Sequence, residues 1–164
     1  MKIQTSLHFM CGKAGAGKST LSKALAMQHD AVLVCEDIWL ARLFPDEIRD
    51  FNDYLRYSRR IKDVVAPLVV DMLGRQSVVL DFPANTVQSR QWFKSICQQA
   101  GSAHVLHHLS ASNALCLSRI AKRNAERPEG SCELDEATFM HITSFFEAPS
   151  PAEGFNVLLH EQRG

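Results

Sequence analysis

The 164-residue sequence predicts a single α/β domain, in which a parallel β-sheet is covered by helices on both faces. Five short apolar segments have the length of strands, and continuous runs such as Val78-Val79-Leu80 are typical of strands buried on both faces. Helical patterns alternate with these segments, so right-handed crossovers between parallel strands are expected. The chain has no internal repeat, low-complexity tract or long linker that would divide it.

The first predicted elements follow from the spacing of apolar residues. Strands are predicted over residues 7–10, 31–35, 77–80, 104–109 and 156–159. The first helix follows the first strand and places Leu21, Ala24 and Leu25 on its inner face, because they recur at helical spacing. Apolar residues also recur at steps of three and four through residues 48–72, where Pro67 predicts a division into two helices.

Three further helices are predicted over residues 87–100, over residues 113–127 and from about Asp135. Gly101 closes the first of these helices, and Pro128 stops the second. Leu134 and Phe139 have the spacing of two apolar residues that pack across the first turn of a helix, which supports a helix start near Asp135.

Composition excludes several classes of protein. The 18 Lys and Arg residues balance the 18 Asp and Glu residues, so no global charge attracts nucleic acid or an anionic membrane. The longest apolar run falls far short of about 20 residues, and no signal-peptide pattern is seen, so no membrane partner is expected. Five widely spaced cysteines without a CxxC pair indicate reduced thiols and a cytoplasmic location.

The stretch CGKAGAGKST, directly after the first strand, has the spacing of a phosphate-binding loop. Such a loop turns successive N–H groups toward a phosphate at the start of a helix. Lys18 is predicted to bind the β- and γ-phosphates and to assist catalysis, and the Ser19 hydroxyl to ligate Mg²⁺. A glycine-rich turn without a ligand is the alternative. The predicted nucleotide-binding residues are Gly12, Lys13, Ala14, Gly15, Ala16, Gly17, Lys18, Ser19 and Thr20.

Asp81, at the end of the third predicted strand, is the second candidate ligand for Mg²⁺. The next residue is Phe82, whereas ATPases that drive motion usually have a glutamate there to activate water. The sequence also lacks the Asn-Lys-x-Asp motif by which GTPases recognise their base. These features favour transfer of a phosphoryl group over its use as a timer or as fuel.

Asp37, just past the second predicted strand, is the candidate base that accepts a proton from the phosphate acceptor. It is expected at the carboxyl edge of the sheet, where ligands of such folds bind. The neighbouring Glu36 should point elsewhere, because adjacent side chains take different directions. Alternatively, Asp37 serves only to cap the helix that begins at Ile38 or Trp39.

Arg119, Arg123 and Arg127 recur at intervals of four along the fourth predicted helical stretch. They predict a small lid over about residues 119–133, whose guanidinium groups would stabilise the transferred phosphoryl group and exclude water. Arg119 and Arg123 are assigned to catalysis, and Arg127 to nucleotide binding. The alternative is a solvated helix face on which arginines pair with glutamates.

Other residues are weaker candidates for an acceptor pocket. Arginines that could hold an anionic acceptor, or equally lie solvated on the surface, are Arg56, Arg59, Arg60 and Arg90. Aromatic residues that could wall the pocket, or instead pack in the core, are Trp39, Phe44 and Tyr54.

The phosphate-binding loop, Asp37, Asp81 and the arginines together span most of the chain. This layout resembles the P-loop kinases, and most closely the AAA-type group that includes polynucleotide kinase, chloramphenicol phosphotransferase and zeta-toxin-like enzymes. The segments DFPANTVQSRQWF and FFEAPSPAEGFNV resemble members of that group whose acceptor is undefined. The resemblance implies a P-loop NTPase fold with sheet order 2-3-1-4-5, ATP and Mg²⁺ as cofactors, and Asp37 as the base.

The sequence therefore predicts a kinase that moves the γ-phosphate of ATP to a hydroxyl of a small molecule. A 5′-hydroxyl nucleic-acid kinase is an alternative. The balanced charge disfavours it, and so does the absence of the phosphatase domain that is fused to polynucleotide kinases. An ATP-binding regulatory module without an acceptor is a second alternative. Asp37 and the arginines favour transfer.

Overall fold

The computed structural model describes residues 4–164, which contain a five-stranded sheet of order β2-β3-β1-β4-β5. The strands are β1 (Ser6–Cys11), β2 (Val32–Cys35), β3 (Val78–Pro83), β4 (Ala103–Ser110) and β5 (Val157–Glu161). Every neighbouring pair is parallel. The five predicted strands and the P-loop NTPase sheet order are therefore confirmed.

Six α-helices connect the strands and cover both faces of the sheet. They are α1 (Lys18–Gln28), α2 (Glu36–Leu43), α3 (Phe51–Leu73), α4 (Val87–Ala100), α5 (Asn113–Glu126) and α6 (Glu136–Thr143). Along β1, Leu7 and Phe9 face a core shared with α3 and α4, whereas Met10 faces a core shared with α1, α5 and α6. The predicted three-layer α/β/α architecture is thus confirmed.

The predicted break at Pro67 is wrong, because α3 runs without interruption from Phe51 to Leu73. Pro67 is exposed, and the carbonyl of Asp63, which would accept the missing hydrogen bond, lies on the same exposed side. Water can therefore satisfy that carbonyl. Val65 and Val69, both fully buried, hold the helix on the sheet across the proline.

Two inner helix faces also differ from the prediction. In α3 the buried side chains are those of Tyr57, Ser58, Ile61, Val65, Val69 and Leu73. Phe51 is 69 % exposed, although the apolar spacing placed it inside. In α1, Ala24 is exposed and Ser22 is buried in its place. Leu21 and Leu25 in α1 and Ile61 and Val65 in α3 do pack inward as predicted, so apolar periodicity found both helices and part of each inner face.

The start of α6 agrees with its predicted signals. Asp135 caps the helix by accepting a hydrogen bond from the Thr138 amide at 2.7 Å, and Leu134 and Phe139 pack in the same core. Within residues 4–164, no helix has both the length and the apolar character required to cross a membrane.

A row of four histidines crosses one face of the sheet. Three of them lie on strands β1, β4 and β5, and the fourth lies at the C-terminal end of α1. His8 shares a 3.0 Å hydrogen bond with His107, which shares a 2.9 Å hydrogen bond with His160. His29 stacks on His8 with ring centroids 4.5 Å apart. His8 and His107 are almost completely buried, and burial together with the neighbouring histidines lowers the pKa of each to about 4.

This histidine pair should make the protein less stable in mild acid. Unfolded histidines titrate near pH 6.5, so the unfolded chain takes up protons before His8 and His107 do in the folded chain. Stability is therefore complete above about pH 7.5 and falls toward pH 4, by about 2 kcal/mol per histidine at pH 5. Urea unfolding at pH 7.5 and pH 5 measures the loss, which His8→Gln should reduce and His141→Gln, at an exposed position, should leave unchanged. Equal midpoints at both pH values for the wild-type protein would contradict the prediction.

Candidate active site

The glycine-rich loop connects β1 to α1 in a conformation that requires glycine. Gly15 and Gly17 have φ angles of 77° and 101°, in the left-handed region. A Cβ atom at Gly15 would lie 2.6 Å from the carbonyl oxygen of Cys116. The sequence therefore folds this loop tightly against α5, with the first turn of α1 directly after it. A helix start of this kind attracts anions.

The ammonium group of Lys18 lies inside this loop. It donates a 2.8 Å hydrogen bond to the carbonyl oxygen of Lys13 and a second one to that of Gly12. Burial lowers the pKa of Lys18 to about 8, although the carboxylate of Asp81 opposes this effect. A cation that is poorly hydrated and held by two carbonyls is well placed to exchange them for phosphate oxygens.

Ser19 and Asp81 meet at the carboxyl edge of the sheet. The Ser19 hydroxyl donates a 2.9 Å hydrogen bond to Oδ2 of Asp81, and the thiol of Cys35 approaches the same oxygen at 3.5 Å. In residues 4–164, no group of three or more His, Cys, Asp or Glu side chains converges as a metal site. Two hard oxygen donors beside a phosphate-binding loop nevertheless suit Mg²⁺, which usually keeps several water and phosphate ligands.

Asp37 and Glu36 both lie in the first turn of α2 and face in different directions. Glu36 is fully buried, whereas Asp37 is open to the cleft that also contains Ser19 and Asp81. The helix begins at Glu36, with Cys35 at the N-cap position. The alternative role of Asp37 as a cap is therefore wrong, since a residue inside the first turn is past the cap position.

The environment of Asp37 suits a proton acceptor. Desolvation by the cleft walls raises the pKa of Asp37 to about 6, and the negative charges of Glu36 and Asp81 add to this effect. The cations Arg123 and Lys18 act in the opposite direction. A carboxylate with this pKa is ionised at neutral pH and binds a proton more readily than an ordinary aspartate.

The three predicted lid arginines have three different placements. Arg119 braces the glycine-rich loop by donating to the carbonyl oxygens of Ala16 at 3.1 Å and Gly15 at 3.5 Å. Arg123 lines the cleft, and its Nε atom is buried without a hydrogen-bond partner among the residues described. Arg127 is 78 % exposed and lies 3.9 Å from Glu133, so the structure does not bring it to the cleft with Arg119 and Arg123.

A single cleft of about 900 Å³ brings most of the predicted residues together. The predicted site residues that line it are Ala14, Gly15, Gly17, Lys18, Ser19, Thr20, Asp37, Asp81, Arg119 and Arg123. Gly12, Lys13 and Ala16 belong to the loop without lining the cleft. Ala16 is fully buried, and the ammonium group of Lys13 donates to Asn113 at 2.8 Å.

The weaker acceptor candidates lie elsewhere. Arg90, for which acceptor binding and surface solvation were the two alternatives, is instead fully buried in an ion pair with Glu153. Arg56, Arg59 and Arg60 lie on the exposed surface of α3, outside the cleft. Core packing, the alternative role for the three aromatic residues, agrees with the structure. The residues that pack against the main core are Trp39, Phe44 and Tyr54.

Several residues of the cleft were not predicted from the sequence. The side chain of Asn85 accepts a 2.9 Å hydrogen bond from the Gly12 amide and so fixes the start of the glycine-rich loop. Gln162, just after β5, also lines the cleft. Gly130, in the loop between α5 and α6, packs so closely on Asp37 that a Cβ atom would lie 3.0 Å from its carbonyl carbon. Their sequence signals are weak, because an Asn, a Gln or a Gly in a loop is common.

The family comparison assigns most of the chain. The family model described as AAA domain (AAA_33) matches residues 7–149, which contain the glycine-rich loop, Asp37, Asp81 and the arginines. The chain belongs to this AAA domain family. A comparison with curated proteins finds no match to this protein.

Solved structures share the fold of this AAA-domain chain at low sequence identity. Chaetomium thermophilum Kti12 in complex with ADP-AlF3 is 15% identical, with a TM-score of 0.69 over 94% of this chain and 88% of Kti12. A gluconokinase from Sinorhizobium meliloti 1021 is 16% identical, with a TM-score of 0.62 over 98% and 84%. The Mycobacterium tuberculosis APS kinase CysC in complex with AMPPNP and APS is 16% identical, with a TM-score of 0.60 over 95% and 88%. These likenesses establish a P-loop kinase-like fold.

Proposed function

We propose that this protein is a kinase that transfers the γ-phosphate of ATP to a hydroxyl group of a small molecule. The observation that carries the proposal is the convergence of Asp37, Lys18, Arg123 and the Ser19–Asp81 pair on one cleft. A phosphate-binding loop alone would serve any nucleotide-binding protein. A carboxylate with a raised pKa across the cleft from that loop is what a hydroxyl acceptor requires.

In the reaction, the carboxylate of Asp37 accepts the proton of the acceptor hydroxyl. At the same time, the oxygen of that hydroxyl forms a bond to the γ-phosphorus. The bond between that phosphorus and the oxygen bridging to the β-phosphate breaks, and ADP leaves. Lys18 and Arg123 stabilise the negative charge on the phosphoryl oxygens. Ser19 and Asp81 would hold Mg²⁺, which neutralises phosphate charge when bound.

The loop between α5 and α6 supports the proposed lid over about residues 119–133. Its Glu129 accepts two hydrogen bonds from Arg42 of α2, at 2.7 and 3.0 Å, and its Gly130 packs on Asp37. A cover packed on the backbone of Asp37 would exclude water from the transferred phosphoryl group. Two of the similar structures hold ADP-AlF3 and AMPPNP, which further supports the binding of an adenine nucleotide.

The test is a screen for ADP release from Mg–ATP with a library of hydroxylated metabolites. We expect slow release without an acceptor and a rise of about tenfold or more with the correct one, because an aligned acceptor makes the step effectively unimolecular. A 5′-hydroxyl oligonucleotide forms a separate arm, and its labelling from γ-labelled ATP would show a nucleic-acid acceptor instead. Failure to bind Mg–ATP would contradict the proposed function. Tight ATP binding without turnover in any arm would favour a regulatory module.

A further inference from the structure

Glu36 is a buried carboxylate that is held by hydroxyl groups. Its side chain is fully buried, and its two oxygens accept hydrogen bonds from Tyr54 and Ser58, each at 2.7 Å. All the ion pairs formed by the described part of the chain involve other carboxylates. A buried carboxyl group without a partner cation costs more than an apolar side chain of the same volume. Stability alone therefore does not explain a glutamate at this position.

The two hydroxyl donors tie α2 to a single face of α3. Tyr54 and Ser58 are four residues apart, one turn of α3, so both point toward the first turn of α2. That turn begins without a strong side-chain cap, because cysteine, which is not among the favoured capping residues, stands at the N-cap position 35. Glu36 supplies an anchor through its side chain instead of through a cap.

The same turn carries Asp37. Successive residues of an α-helix are separated by about 100° around its axis, so fixing Glu36 toward α3 fixes the direction of its neighbour. With Glu36 facing inward, Asp37 faces the cleft beside Ser19 and Asp81. A rotation of this short helix by a fraction of a turn would move the carboxylate of Asp37 by about 1 Å or more. Such a displacement of a reacting group can cost about 10²-fold in rate.

We infer that Glu36 is a positioning residue: with Tyr54 and Ser58 it holds the first turn of α2 so that Asp37 faces the acceptor oxygen. The inference rests on the proposed function, because Asp37 acts as a base only if an oxygen nucleophile attacks the γ-phosphate. Glu36 itself does not touch the substrate. Its removal should therefore change the rate of the chemical step and leave the binding of ATP unchanged.

The experiment compares Tyr54→Phe and Glu36→Gln with the wild-type protein in the turnover of Mg–ATP, with water and with the acceptor found in the screen. We expect kcat to fall about tenfold in Tyr54→Phe and about 10²-fold in Glu36→Gln. The KM for ATP and the Kd for ADP should stay unchanged. Tyr57→Phe is the matched control, because Tyr57 lies on the same helix, is buried and makes no contact with Glu36 through its hydroxyl group.

The outcomes separate positioning from a merely structural role. A lower melting temperature and weaker ATP binding with unchanged kcat would overturn the inference, as would wild-type kinetics in Tyr54→Phe. If Glu36→Gln does not fold, Tyr54→Phe decides alone, since it keeps the carboxylate and one donor. A wild-type protein that turns over no ATP would contradict the proposed function and this inference together, whereas normal wild-type turnover with unaffected variants would contradict the inference only.

Discussion

Asp37→Asn is expected to lower kcat for phosphoryl transfer about 10²- to 10⁴-fold, the usual contribution of a general base. Asparagine has the shape of aspartate and can still orient an acceptor hydroxyl, but its amide cannot take the proton. The Kd for ATP should change little, because we assign phosphate binding to Lys18, Ser19 and the glycine-rich loop, which the substitution leaves intact. Steady-state kinetics with the acceptor from the screen and calorimetric titration with ATP measure the two quantities.

The control for this variant is Asp63→Asn, which removes a carboxylate from the exposed surface of α3. Its kinetics should match those of the wild-type protein. The pH profile gives a second readout, because the pKa of Asp37 is about 6. Wild-type kcat should fall as the pH drops below about 6, where Asp37 is protonated and can no longer accept a proton, and Asp37→Asn should lose this dependence. Equal kcat values for Asp37→Asn and the wild-type protein would show that Asp37 is not the base.

The residues at the centre of the cleft could be predicted from the sequence because they lie at or just after the carboxyl ends of strands. The glycine-rich loop comes after β1, Asp37 after β2, and Asp81 lies within β3, near its carboxyl end. Parallel strands bring their carboxyl ends to one edge, so residues that are distant in the chain meet there by topology alone. The order of the strands came only from the family resemblance. Apolar patterns identify a strand but carry no information about its neighbours.

Two arginines lie where helical spacing alone would not place them. Arg127 follows Arg123 by four residues, but α5 ends at Glu126 and Arg127 has a φ angle of 48°. The helical repeat therefore does not extend to its side chain, which turns away from the cleft. The burial of Arg90 has another cause. Its partner Glu153 lies 63 residues further along the chain, and no local pattern links the two residues.

The Arg90–Glu153 pair is the most deeply buried ion pair in residues 4–164. Arg90 donates to both oxygens of Glu153, at 2.7 and 3.1 Å, and to the carbonyl oxygens of Ala84 and Glu147, each at 2.9 Å. These bonds join the first turn of α4 to the segment that leads into β5. The guanidinium group of Arg90, which donates these hydrogen bonds, has no access to water. Each partner left alone would be an uncompensated buried charge.

Arg90→Met is therefore expected to lower the free energy of unfolding by about 3–5 kcal/mol, and Glu153→Met by a similar amount. Arg59→Met removes an arginine from the exposed surface of α3 and should stay within about 0.5 kcal/mol of the wild-type protein. The double variant Arg90→Met/Glu153→Met should be more stable than the sum of the single losses predicts, because it leaves no charge behind. Urea unfolding of all four variants measures these differences. Additive losses in the double variant would show that the two side chains stabilise the fold through packing and not through their charges.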